Sequence, residues 1–211
     1  MSEDKNSSGI VAKIVIALSV IIAGLSLYIL LAFELPDKPI AGQGGNIDET
    51  VSIGGDFTLT DHNGKVFNSD MIKGKLSLIY FGFTFCPDIC PTSLQKLTDV
   101  LSTLDKYKID VQPIFITIDP ARDKPELLKE YLSHFHPNFI GLTGSNDEIK
   151  RVADLYKVYY AIAQDSKDVG NKYMLDHTSF IYLMDRNGKY MKHFYMSSTP
   201  EEIIEYIRIH G

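Results

Sequence analysis

Cysteine is scarce in this chain: Cys86 and Cys90 are the only two among 211 residues. Two are too few for a disulfide-stapled scaffold, and a chain of this length can bury a core without staples. Positive charge is also short, with 21 Lys and Arg against 27 Asp and Glu, for a formal net charge of −6. A nucleic-acid binder needs a basic face to neutralise phosphates, so that class is excluded. No internal repeat or low-complexity tract interrupts the sequence. Aromatic residues are plentiful, 11 Phe and 12 Tyr, and they supply a core that rules out a disordered chain.

Charge is missing altogether from Ile14 to Phe33, IVIALSVIIAGLSLYILLAF. About 20 apolar residues match the hydrocarbon thickness of a bilayer when helical, which predicts one transmembrane helix. A cleaved signal peptide would have a shorter apolar region and small residues at its end. Here the run ends in Leu-Ala-Phe-Glu-Leu-Pro instead. Lys5 and Lys13 precede the span and Lys38 follows it, so the positive-inside rule places the N-terminus in the cytoplasm. The tail contains Glu3 and Asp4 and lacks arginine, unlike an organelle transit peptide. The expected location is the bacterial inner membrane, single-pass, with the C-terminal domain in the periplasm. The expected organisation is a tail at 1–13, an anchor at 14–33, a linker at 34–46 rich in Pro, Gly and polar residues, and one domain at 47–211.

Within the domain, Asp56–Asp61 and His62–Phe67 read as a hairpin turning at Asn63-Gly64. Leu76–Phe83 is a near-continuous apolar run of the kind found in central strands. A helical stripe over Thr92–Tyr107, a strand over Val111–Ile118 and helices over Pro125–Phe135 and Glu148–Tyr156 follow. Strands are expected at Val158–Ala163, Thr178–Met184 and Tyr190–Tyr195. A last helix opens with Thr199 as N-cap, Pro200 in the first turn and Glu202 closing a capping box. This order predicts an α/β three-layer sandwich with helices on both sheet faces and an added N-terminal hairpin.

The two cysteines lie between the first central strand and the first long helix. Cys90 is expected at the helix N-terminus, whose partial positive charge favours thiolate, and Cys86 is close enough to meet it. A structural disulfide would close a very small loop with limited entropic gain. A redox dithiol normally has two intervening residues, where this pair has three. A metal site needs at least one more ligand, and two thiolates select a soft ion such as copper(I). The cysteines alone leave redox and metal chemistry level.

Of the six histidines, His62 falls in a turn, His134 and His136 at a helix end, His193 on a strand and His210 beside the C-terminus. His177 lies just before an apolar strand, where it either caps that strand or completes a Cys-Cys-His site. Asp119, Arg122 and Asp123 are expected to form a structural ion-pair or hydrogen-bond network after a strand.

Three blocks carry a family resemblance. Tyr80-Phe-Gly-Phe-Thr-Phe-Cys86-Pro-Asp-Ile-Cys90-Pro, Ile116-Thr-Ile-Asp119-Pro-Ala-Arg122-Asp123-Lys-Pro125 and Leu175-Asp176-His177-Thr-Ser, in that order, resemble the Sco/SenC family. These are thioredoxin-like copper proteins of mitochondrial inner and bacterial cytoplasmic membranes, involved in cytochrome c oxidase assembly. The resemblance implies a thioredoxin-like fold and copper, as Cu(I) or Cu(II), held by Cys86, Cys90 and His177. It places Asp176 where it could orient the imidazole, and it implies no catalytic residue. It further implies a metallochaperone, not an enzyme, delivering copper to the copper-bearing subunit of cytochrome c oxidase, at its copper A centre. The alternative is a thiol-disulfide oxidoreductase that reduces the acceptor's cysteines. A peroxiredoxin-like peroxidase is a third reading, against which Gly82 stands where that group has proline. The polar loop Asp165–Lys172 is a candidate for partner recognition.

Overall fold

The computed structural model describes residues 4–32, 52–164, 166 and 173–211. They belong to two compact units, Met1–Glu49 and Thr50–Gly211. The first contains helix α1 (Asp4–Ala32), whose side chains are described at 13 and 15–28. Among the described residues no helix is long and apolar enough to cross a membrane. Part of the expected 14–33 span therefore lies outside the described side chains, and the 34–46 linker lies outside the described residues altogether.

The second unit is a seven-stranded mixed sheet in the order β2-β1-β5-β4-β3-β8-β9. Its strands are β1 (Thr58–Asp61), β2 (Val66–Asn68), β3 (Leu76–Gly82), β4 (Val111–Thr117), β5 (Ile140–Thr143), β8 (Ile181–Met184) and β9 (Tyr190–Phe194). A separate ribbon pairs β6 (Tyr160–Ile162) with β7 (Leu175–His177). The helices are α2 (Ile89–Lys106), α3 (Pro125–Leu132), α4 (Asn146–Leu155) and α5 (Pro200–His210).

β3 is buried along its whole length, as expected of an apolar run flanked on both sides. It pairs in parallel with β4 and antiparallel with β8. The crossovers carry α2 and α3 over one face, where Cys90 meets Tyr80 and Tyr131 meets Phe115. On the other face Tyr156, just after α4, lies against Phe57, Phe81 and Tyr182. Helices thus cover both faces, as the alternating pattern predicts.

Several boundaries differ from the sequence reading. The hairpin closes over three residues, because Asp61 N–H donates to Lys65 O at 2.8 Å and Gly64 takes the left-handed position at φ +75°. β5 is not apparent in the sequence, since its four residues follow Pro137-Asn138 and include Gly141. Val158–Ala163 yields only the three-residue β6, and this strand pairs with β7 outside the main sheet. α2 begins three residues before Thr92, and α3 ends at Leu132. Pro113 sits in a central strand at no loss, because the β5 partner begins one residue later, at Ile114↔Ile140.

Candidate metal centre

The topology brings the two halves of the site together. β3 ends at Gly82, and the chain turns through residues 83–88 into α2. β8 runs antiparallel to β3 with Ile181 opposite Tyr80, so residues that precede β8 arrive at the C-terminal end of β3. His177, four residues before Ile181, therefore lands beside the cysteines.

Gly82 makes room for the sulfur. A Cβ there would stand 2.8 Å from Cys90 Sγ and 3.0 Å from the rings of Phe115 and Tyr80. Cys90 is fully buried, its Sγ 3.6 Å from His177 Nε2 and 3.8 Å from the Tyr80 hydroxyl, which donates to it. Cys86 is half-buried, and its Sγ accepts the Cys90 amide at 3.4 Å. The N-cap residue of α2, Asp88, makes no side-chain cap bond, so the Cys86 sulfur takes that part of the capping role.

This corrects the expectation that the helix terminus acts on Cys90. The amide dipole points at Cys86, and Cys86 is the sulfur held far below the ordinary thiol range. The hydrogen bond from the Cys90 thiol is the main cause, with His177 and the amides of Cys90 and Asp88 adding to it against burial. Cys90 is pushed up by its hydrogen bond to Cys86 and by burial.

His177 is oriented by backbone. Its Nδ1 lies 3.0 Å from Thr178 O, a contact in which Nδ1–H donates, and this turns Nε2 towards Cys90. The rings of Tyr80 and Phe83 meet the imidazole edge-on at 6.3 and 6.0 Å. Asp176 does not orient it: successive residues of β7 alternate faces, and Asp176 is exposed. Among the described residues no group of three or more His, Cys, Asp or Glu side chains forms a ready metal cluster. The corner brings Cys90 and His177 into contact and attaches Cys86 through an amide.

The other histidines have local partners. His134 Nδ1 contacts Tyr131 O at the end of α3, and His193 stacks on Phe180 while contacting the Tyr190 hydroxyl. His210 stacks on Tyr206. His136 is buried, with Nε2 3.2 Å from the Asp105 carboxylate on α2. His62 accepts the Gly141 amide through Nδ1 at 2.8 Å.

The network expected at Asp119, Arg122 and Asp123 is present. The buried Asp123 carboxylate accepts from Thr84 N–H at 3.0 Å, Thr84 Oγ1 at 2.5 Å and Thr117 Oγ1 at 2.6 Å. Arg122 pairs with Asp119, and Tyr173 joins them by donating its hydroxyl to Asp119 at 2.6 Å. Nothing in the sequence signals Tyr173, whose part is set by a contact 54 residues away. Of the loop Asp165–Lys172, only Ser166 is among the described residues.

Comparison with known proteins points to one family. The SCO1/SenC family model matches residues 45–210. A SCO2-like protein of Rickettsia felis is 58% identical over 198 residues, covering 94% of this chain and 96% of that protein. The mitochondrial SCO2 protein of Saccharomyces cerevisiae is 48% identical over 160 residues, covering 75% of this chain and 53% of its own length. Among solved structures, copper-bound ScoI of Bradyrhizobium japonicum is 43% identical with a TM-score of 0.69, covering 76% of this chain and all of its own. Copper-bound yeast Sco1 is 46% identical with a TM-score of 0.70, covering 75% of this chain and 88% of its own. BsSco, described as a member of the Sco family of cytochrome c oxidase assembly proteins with a disulfide switch, is 29% identical with a TM-score of 0.59, covering 75% of this chain and 93% of its own.

Proposed function

The chain belongs to the SCO1/SenC family, and on that premise we propose that it is a membrane-anchored copper metallochaperone with copper as its cargo. Cys86, Cys90 and His177 are the ligands in this reading. The observation that carries it is the His177 imidazole, tied at Nδ1 by Thr178 O and facing Cys90 Sγ with Nε2 at 3.6 Å. Two sulfurs and one imidazole make a soft donor set suited to copper(I). The pull on the Cys86 thiol proton favours its thiolate, the form that binds metal. Both sulfurs must be reduced, since a disulfide offers no thiolate.

The acceptor in this reading is the copper-bearing subunit of cytochrome c oxidase, at its copper A centre. The 14–33 run anchors the chain in the bacterial inner membrane, with the domain in the periplasm. Support comes from the described α1 side chains, where Val15, Ile16, Val20, Ile21, Leu25 and Tyr28 are all exposed within the first unit. The test is copper stoichiometry of the full chain carrying Cys86→Ala, Cys90→Ala or His177→Ala. Each is expected to lose tight binding; undiminished copper in all three overturns the assignment.

Thiol-disulfide exchange is a second reading, favoured by the unequal exposure of the two sulfurs, Cys86 half-buried and Cys90 buried. A half-buried thiolate at Cys86 can attack a partner disulfide, and the neighbouring Cys90 can resolve the mixed disulfide. A Cys90→Ala variant that accumulates a mixed disulfide with the acceptor supports it. Copper transfer lost in His177→Ala with thiol exchange intact favours metal delivery.

A further inference from the structure

The strand that carries His177 is hydrogen-bonded in its own ribbon, outside the seven-stranded sheet. Its C-terminal end is fixed, because residues 178–180 lead straight into β8. Its N-terminal end meets Arg122. The guanidinium donates through Nε to the Asp119 carboxylate and through Nη1 to Tyr173 O at 2.9 Å. It lies 3.7 Å from the centre of the Tyr173 ring, 4.7 Å from Phe85 and 5.8 Å from Phe83. Phe85 adjoins Cys86, and Phe83 packs its ring against His177. The Arg122 and Asp119 side chains are 6% and 2% exposed.

A plain structural role would be to close the loop between β4 and α3. Asp123 already does this through Thr117, with Thr143 Oγ1 donating to its carbonyl, and through Thr84 it also ties the loop to the turn at 83–88. Arg122 alone of the two also reaches the residue four before His177, through the Tyr173 carbonyl and ring. We propose that Arg122 is a positioning residue for the metal centre: by pinning Tyr173 to Asp119 it holds β7 where the His177 imidazole meets Cys90. The planar fork and the stacking surface are both used, so lysine cannot replace it. The proposal rests on Cys86, Cys90 and His177 being the copper ligands.

The test uses the full chain in detergent, with Arg122→Gln, Arg122→Lys, His177→Ala and the double variant Arg122→Gln/His177→Ala. Copper(I) affinity is measured by competition, and the His177 ring resonances of the metal-free protein are followed by NMR. Residues that orient a ligand from outside the metal's own shell typically change affinity about 10–100-fold, so Arg122→Gln is expected to lose that much and Arg122→Lys not to restore it. The double variant should bind no more weakly than His177→Ala alone, because both act through the imidazole. The His177 signals should lose their distinct shifts in Arg122→Gln. Should Arg122→Gln not fold, Tyr173→Leu, which keeps the main-chain acceptor but removes ring and hydroxyl, is read the same way. Additive losses, or unchanged affinity with unchanged His177 signals, overturn the proposal. Undiminished copper in His177→Ala would instead remove the ligand assignment, and the metal-free NMR comparison still decides the role of Arg122.

Discussion

Cys86 and Cys90 sit in unlike environments, and their reactivity should follow. Cys86 accepts a helix-terminal amide and reaches solvent, while Cys90 lies in the core between Gly82, Tyr80 and His177. Alkylation of the reduced chain is therefore expected at Cys86 first. It should remain fast at about pH 6, where an ordinary thiol with a pKa of roughly 8.5 is almost wholly protonated. Mass spectrometry of the modified peptides checks this; labelling of Cys90 ahead of Cys86 contradicts it. Gly82→Ala should disturb the same spot, because its methyl would meet Cys90 Sγ at 2.8 Å. Overpacking at such a site costs about 1–3 kcal/mol, to be read from denaturant midpoints, with a parallel drop in copper affinity. At this scale the sequence singles out the two sulfurs as candidates, but not which of them faces the helix-terminal amide. Which sulfur a terminal amide faces depends on the path of residues 83–88, which residue types do not encode. His177 was separable from five other histidines only through the motif blocks, since its special position follows from the pairing of β8 with β3.

The β1–β2 hairpin reaches the rest of the sheet through two pairs with β5, Thr60↔Thr143 and Asp61↔Leu142. His62 extends that short ladder: its N–H donates to Gly141 O, and its Nδ1 accepts the Gly141 amide, each at 2.8 Å. An imidazole protonated at Nδ1 cannot accept, so the bond requires the neutral ring. Burial, chiefly, lowers the His62 pKa below 6.5, with Lys129 adding to this and Asp61 opposing it. Between the folded value and about 6.5 the unfolded chain binds the extra proton, so stability falls as pH falls through that window. The melting temperature should thus drop more between about pH 7.5 and pH 5 in the wild-type chain than in His62→Gln. Equal slopes would remove His62 from the account. Among elements, those with strong local signals were legible: the β3 run, the α2 stripe, and the Thr199 capping box, which is present with both reciprocal bonds. β5 was not, because a four-residue strand after Pro137-Asn138 shows no period of its own. Its pairing with β4 and β1 is a tertiary fact.

The chain divides where its composition divides, with Met1–Glu49 in one unit and Thr50–Gly211 in the other. Every described residue of the candidate centre, including the Arg122 network, belongs to the second unit. That unit has its own buried core, in which Leu78, Ile79, Tyr80, Phe81, Phe115 and Leu183 are fully enclosed. Residues 50–211 expressed alone should therefore fold and keep the copper stoichiometry of the full chain. The first unit should decide location instead. A charge-free run of about 20 residues is long enough for a bilayer, and peripheral association by charge does not survive high pH. Alkaline carbonate should leave the full chain in the membrane pellet and release residues 50–211 to the supernatant. Full-chain protein in the supernatant would mean that 14–33 does not span. A mature protein starting after residue 33 would mean that it is removed. Copper binding by the second unit is expected to be indifferent to either result. If the proposed delivery role holds, transfer is expected to fall in residues 50–211 alone, because a shared membrane would no longer raise the local concentration near the acceptor.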